Sequence, residues 1–248
     1  MAHSFDIGLA AIAIFLGGFL KGATGAGGPV VAVPILASLF GVQFAVAVYS
    51  VINLLSNIWQ AYAFREHRSK GGLVWPFSLA GGGGALVGSV LLAHMPTNLI
   101  MAILSLVVFS YIGLKLLRPN RTLTEKHARR FASPVGFIGG LMQGAGGVSA
   151  PVSVTFLHAS PLKREEFIAI ISTFFVAMSL TQIPTLWLMG LITQKSLLYS
   201  IVGCIPLFLA MPLGGWAAKH LSKEWFDRVI LVLLAALATR MMWSALTG

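Results

Sequence analysis

Gly22-Ala23-Thr24-Gly25-Ala26-Gly27-Gly28-Pro29 interrupts an apolar run that begins near residue 5 and resumes at once as Val30-Val31-Ala32-Val33. Clustered glycines let a chain unwind or bring two backbones close together. Pro29 suits the first turn of a new helix, where its missing N–H costs nothing. A fresh helix is therefore predicted from about residue 28. A related stretch, Gly140-Leu141-Met142-Gln143-Gly144-Ala145-Gly146-Gly147, predicts a counterpart from about residue 147.

Outward from these two stretches the chain is apolar almost throughout. Of 248 residues, 57% are hydrophobic and only 10% charged. A water-soluble domain carries roughly 25% charged residues to wet its surface, so lipid is the natural solvent here. Ten apolar segments follow in order: 5–21, 29–41, 43–64, 72–94 and 97–117, then 133–143, 148–159, 165–189, 196–218 and 225–246. The third, fourth and fifth of each set are long enough to cross about 30 Å of hydrocarbon as helices. The second of each set, and the first of the second set, are short. Residues 1–6 hold no Lys or Arg, so the basic start of a signal peptide is missing. The first segment is expected to be retained.

The two sets resemble each other. Gly18-Phe19 and Gly22 match Gly136-Phe137 and Gly140, and Gly25 to Gly28 match Gly144 to Gly147 after one residue of slippage. Gly88 followed by His94 parallels Gly214 followed by His220. Duplication accounts for this order better than chance does. The expected domains are a first membrane repeat over 1–117, a basic linker over 118–132 and a second membrane repeat over 133–248.

Charge sets the expected topology. The net charge is +10, from 17 Lys and Arg against 7 Asp and Glu. The basic residues fall in breaks between apolar runs: Arg65, Arg68 and Lys70; Arg118 to Arg130; Lys163 and Arg164; Lys219, Lys223 and Arg228. They form no basic stripe interleaved with aromatics, so a nucleic-acid partner is not expected. Excess positive charge marks cytoplasmic loops. With the basic breaks inside, segments three to five alternate correctly in both halves but in opposite senses. That is the pattern of inverted-topology repeats, with both termini on the non-cytoplasmic side. The first two segments of each half must together return to their starting side. Two full crossings and a pair of short helices meeting inside the membrane both satisfy this.

A helix that begins inside a membrane exposes free N–H groups and its positive dipole end, which together favour an anion. Gly25, Gly27, Gly28, Gly144, Gly146 and Gly147 are the candidate substrate-binding residues on this ground. Close helix packing is the competing use of the same glycines. Lys21, Asn53, Asn57, Gln143 and Ser149 are second candidates. Lysine within a bilayer is a functional candidate by default, while snorkelling to the surface is its alternative. Aligning the halves on Gly18 and Gly136 places Gly139 opposite Lys21, and the offset of 119 that aligns Gly25 with Gly144 places Ser172 opposite Asn53. The polar residues Gln43, Asn53, Ser56, Asn57 and Gln60, with Ser172, Thr173, Ser179, Thr181 and Gln182, suggest a polar path through the core; helix–helix glue is the alternative for any one of them.

No catalytic set is apparent. All seven acidic residues lie in tails or breaks, and His94 and His220, at segment ends, suit an interfacial or structural role. Cys204 stands alone, which rules out an internal disulfide or thiolate metal cluster. Neither glycine stretch has the Lys-Ser/Thr ending of a P-loop, and the residue three beyond Gly27 is Val30, which breaks the dinucleotide fingerprint. No metal, nucleotide or other cofactor is expected.

The run Gly18 to Leu36, with its echo from Gly136 to Pro151, resembles the duplicated signature of the sulfite exporter TauE/SafE family of permeases. The resemblance covers nearly the whole chain. It implies transport of small anions such as sulfite, sulfoacetate or other sulfonates across the bacterial inner membrane. The second signature departs in having Gln143 before Gly144 and Val148 where Pro29 stands, so the two half-sites need not contribute equally. The reading is an all-α, polytopic membrane protein of two inverted repeats, with broken helices at the glycine motifs. It is expected to be a secondary transporter, not an enzyme, with a small anionic substrate and the lipid bilayer as partners; a homodimer is compatible with it. An anion channel with the same site, a membrane-embedded enzyme and a membrane scaffold are the rivals.

Overall fold

The structure is a computed structural model that describes residues 4–68, 72–117, 122–218 and 223–247. Among these residues there are ten α-helices and no strand: α1 (Ser4–Thr24), α2 (Gly28–Phe40), α3 (Val42–Ala63), α4 (Val74–His94), α5 (Thr97–Leu117), α6 (Glu125–Gly146), α7 (Ala150–Ala159), α8 (Arg164–Leu188), α9 (Gln194–Ala217) and α10 (Lys223–Thr247). Among the described residues α1, α3, α4, α8 and α9 are long and apolar enough to cross a membrane. Trp59, Leu79, Ile201 and Leu209 are exposed on the outside of the bundle, where lipid would cover them.

The helix ends follow local chemistry. The Thr124 hydroxyl accepts from the His127 N–H at 3.4 Å, and Arg129 pairs with Glu125 one turn on at 2.6 Å. This cap and ion pair start α6 at Glu125, inside the stretch expected to be a linker and well before the apolar run at 133. The first segment of the second half is therefore a 22-residue helix, not a short one. An apolar-run criterion cannot see a helical turn built from polar residues. At α8, the Glu166 carboxylate accepts from the Lys163 N–H at 2.8 Å. The short second segments are found as expected, α2 with 13 residues and α7 with 10.

Two helix pairs close without intervening side chains. In α1 and α9, a Cβ on Gly18, Gly22 or Gly214 would meet the backbone of Leu207, Met211 or Phe19. In α4 and α6, a Cβ on Gly136, Gly140 or Gly144 would meet the carbonyls of Phe77, Gly81 or Ala85. Small residues permit such approach in membranes, where apolar burial alone does not drive helices together.

The α3 and α8 helices form the centre. Phe167 and Ile168, near the start of α8, share a cluster with Phe64 just past α3, and Leu186, near the end of α8, packs with Val42 and Val46 at the start of α3. The two helices are thus antiparallel. Around them α9 packs on α1 and α3, α4 packs on α6 and α8, and α5 packs on α10. The short α2 lies between α1 and α3, and α7 between α6 and α8. Exchanging α1–α5 for α6–α10 maps these pairings onto one another.

Candidate functional site

Lys21 lies in the last turn of α1 and is fully buried. Its Nζ donates to Asn57 Oδ1 at 2.7 Å and sits 5.5 Å from the centre of the Phe175 ring. Asn57 Nδ2 donates to Asn53 Oδ1 at 2.8 Å and to the Asn53 carbonyl at 2.7 Å. Asn53 Nδ2 reaches Ser179 Oγ at 3.5 Å. Four side chains from α1, α3 and α8 so form one buried chain. Among the described residues no carboxylate pairs with Lys21. An ammonium has three N–H donors, and Asn57 takes one.

The turn after Lys21 is ordered by its own groups. Gly25 adopts φ +85°, and its N–H donates to the Lys21 carbonyl at 2.6 Å. Only glycine adopts that backbone region at little cost. The Thr24 hydroxyl accepts from the N–H groups of Ala26 at 3.2 Å and Gly27 at 2.9 Å. Gly27 is the N-cap of α2 and gives no side-chain cap; Pro29 stands in the first turn, as expected. Residues 25–28 are buried. A side chain on Gly25 would press on Ile168, and one on Gly27 would press on Leu20. Gly28 borders Lys21 Cβ and the Tyr49 hydroxyl.

The second glycine stretch builds a neutral counterpart. Gly147 has φ +73°, and its N–H donates to the Gln143 carbonyl at 2.7 Å. That carbonyl also accepts from Gln182 Nε2 at 3.2 Å. Gln143 Oε1 and Gln182 Oε1 are buried without a partner. Ser149 is buried at the N-cap of α7 without capping it; its hydroxyl oxygen receives Ser153 Oγ at 3.2 Å. Gly146 is the last residue of α6.

These geometries correct the alignment of the halves. Pro151 is the second residue of α7, as Pro29 is of α2, so Pro151 and not Val148 answers Pro29. Gly25 then answers Gly147, both with positive φ, and Lys21 answers Gln143 rather than Gly139. The expected match of Gly25 with Gly144 fails for the same reason: the slippage between the motifs is larger than one residue. Gly144 packs on α4 as Gly22 packs on α9.

The structure gathers Lys21, Asn57, Asn53 and Gly28 in one group, and Gln143, Gly147 and Gln182 at one carbonyl in another, while Ser149 is bonded to Ser153 on α7. Ser179, which Asn53 reaches, and Gln182, which reaches the Gln143 carbonyl, are three residues apart on α8, so the near edges of the two groups are separated by about 4.5 Å of helix rise. Ser56, Gln60, Ser172 and Thr173 are buried, and the hydroxyls of Ser56, Ser172 and Thr173 donate to carbonyls of their own helices. Gln43 and Thr181 instead tie helices together, through the carbonyls of Leu92 at 3.2 Å and Gly82 at 2.7 Å. His94 is exposed, with Nδ1 2.9 Å from the Val90 carbonyl; His220 lies outside the described residues. Tyr49, absent from the sequence-based candidates, is the residue that only three dimensions reveal.

Among the described residues, no three His, Cys, Asp or Glu side chains converge. A cavity of about 300 Å³ opens beside the starts of α6 and α8, and includes Glu125, Arg129 and Glu166 in its lining. Lys21 is not among its lining residues, and its two carboxylates disfavour an anion.

A family model described as sulfite exporter TauE/SafE matches residues 10–241. No curated protein and no solved structure matches the chain.

Proposed function

The chain belongs to the sulfite exporter TauE/SafE family, and from that premise we propose that it is a secondary transporter of a small sulfur-bearing anion, a sulfite or organosulfonate. The observation that carries the reading is Lys21, a fully buried lysine whose side-chain nitrogen donates to the neutral Asn57. An uncompensated charge in the interior of a membrane protein is costly, and residues that bear one there commonly line a substrate path. A bound anion would supply the missing charge. Two ammonium N–H groups remain for it, beside the positive end of α2.

In this reading the basic loops face the cytoplasm and both termini the periplasm of a bacterial inner membrane. The halves are inverted repeats, and the antiparallel α3–α8 pair is the axis about which they exchange. Rocking one half against the other would open the Lys21 group to one side and then to the other. The packing that maps onto itself under exchange of halves supports this, as do the equivalent turns at Gly25 and Gly147. The buried, side-chain-filled contact between Asn53 and Ser179 favours a gated carrier over an open channel. An enzyme would require an acid–base or nucleophilic set, whereas the polar chain around Lys21 is amide and hydroxyl.

The test is counterflow in proteoliposomes loaded with methanesulfonate, sulfoacetate or sulfite. A carrier gives saturable uptake that is stimulated by the same anion on the far side. Uptake that rises linearly and ignores the trans side would identify a channel.

A further inference from the structure

We propose that the bodies which move against each other in transport are not the sequence repeats themselves but two exchanged units, α1–α3 with α9 and α10, and α6–α8 with α4 and α5, a division that rests on the transport reading above. The glycine-lined backbone contacts of α1 with α9 and of α4 with α6 join one repeat to the other. Contacts of this kind hold helices together in a membrane. The third helices add to the exchange. The Phe174 ring of α8 lies where a side chain on Gly81 of α4 would stand, and Ile52 of α3 lies where a side chain on Gly203 of α9 would stand. The step along the chain that carries Gly25 to Gly147 also carries Gly81 to Gly203 and Ile52 to Phe174. The fifth helices are exchanged too, since α5 lies against α6 and α7, and α10 against α2.

Hydrogen bonds follow the same division. Within the units, Ser200 Oγ donates to the Val48 carbonyl at 2.9 Å, tying α9 to α3, and Thr181 Oγ1 donates to the Gly82 carbonyl at 2.7 Å, tying α8 to α4. Bonds that cross between the units are longer than these. Gln43 Nε2 donates to the Leu92 carbonyl at 3.2 Å, Arg164 Nη2 to the Ala23 carbonyl at 3.3 Å, and Asn53 Nδ2 to Ser179 Oγ at 3.5 Å. The units meet along α3–α8 and α5–α10, each a helix paired with its own counterpart. Lys21, Asn57 and Asn53 all ride on the first unit, so their mutual hydrogen bonds survive the motion. Phe175 and Ser179 belong to the second unit and form the face that closes over them. Rocking of whole sequence repeats would instead break the close contacts at Gly22 and Gly140 in every cycle.

The experiment uses full chains in a Cys204→Ser background, reconstituted in proteoliposomes, and compares methanesulfonate counterflow of each protein oxidised and then reduced. Mass spectrometry of the free thiols reports each disulfide. Gly82→Cys with Thr181→Cys, and Ile52→Cys with Gly203→Cys, each bind one repeat to the other inside a unit. A Cβ on Gly82 would lie 3.5 Å from Thr181 Cγ2, and one on Gly203 would lie 2.8 Å from Ile52 Cδ1. Gly25→Cys with Ile168→Cys binds the units together, with a Cβ on Gly25 lying 3.7 Å from Ile168 Cβ, within the span of a disulfide. The two same-unit pairs are expected to show equal counterflow oxidised and reduced, and a pair damaged by its substitutions leaves the other to decide. The Gly25 and Ile168 pair is expected to lose counterflow when oxidised and to regain it on reduction. If a same-unit pair loses counterflow on oxidation and regains it on reduction, the repeats move as the sequence orders them, and the division is overturned while the carrier stands. Full counterflow in the oxidised Gly25 and Ile168 pair overturns it as well. Absence of counterflow in wild type defeats the carrier reading itself.

Discussion

Asn57 holds the position of Lys21, since its Oδ1 accepts the ammonium while its Nδ2 is locked by Asn53. Asn57→Leu would keep the volume and remove both functions. It is expected to destabilise the protein by about 1–3 kcal/mol, the range for leaving buried polar groups unmet, read as a lower unfolding temperature in detergent. Gly28 and Tyr49 form a second coupled pair. Gly28→Ala should destabilise the protein, because its Cβ would collide with the Tyr49 hydroxyl. Most of that loss should vanish in the Tyr49→Phe background, where the obstructing oxygen is absent; a double-mutant cycle measures the coupling, and additive effects would refute the contact. Lys21, Asn53 and Asn57 are legible in the sequence because a cation or amide in an apolar run is conspicuous. Tyr49 is not, since an aromatic residue there reads as ordinary core. Its solitary hydroxyl becomes visible only when α2 is laid beside α3.

The glycines divide by element. Gly22 in α1 and Gly140 in α6 face the backbones of α9 and α4, so Gly22→Leu and Gly140→Leu should force the helix pairs apart. The expected outcome is loss of monodisperse protein on size exclusion in mild detergent. Gly147→Ala differs: it strains a left-handed turn at φ +73°, at a cost of about 1 kcal/mol, and should leave a folded, extractable protein. The short α2 and α7 could be read from the glycine breaks and the prolines that follow them. The start of α6 could not, because Thr124, Glu125 and Arg129 build its first turn from hydrogen bonds and charge rather than from apolar periodicity. The equivalence of the two turns differs from the one the glycine pattern suggests, with Gly25 answering Gly147 and not Gly144. Glycine repeats are degenerate as sequence, whereas positive φ at Gly25 and Gly147 fixes the register.

On the scale of the whole molecule, the all-α membrane architecture is written in composition and segment length, and the structure and the family match agree with it. The sense of insertion rests on charge alone, and labelling can test it. In a Cys204→Ser background, Glu66→Cys and Glu165→Cys are expected to react from the cytoplasmic side only, and Asn98→Cys and Gln194→Cys from the periplasmic side only. Labelling of all four from one side would refute the inverted arrangement. The central claim concerns the buried ammonium. Wild-type protein and Lys21→Met, reconstituted at equal density, should be compared for methanesulfonate and sulfite counterflow. The account requires saturable counterflow in wild type and its loss in Lys21→Met. Equal counterflow in the two proteins would contradict it.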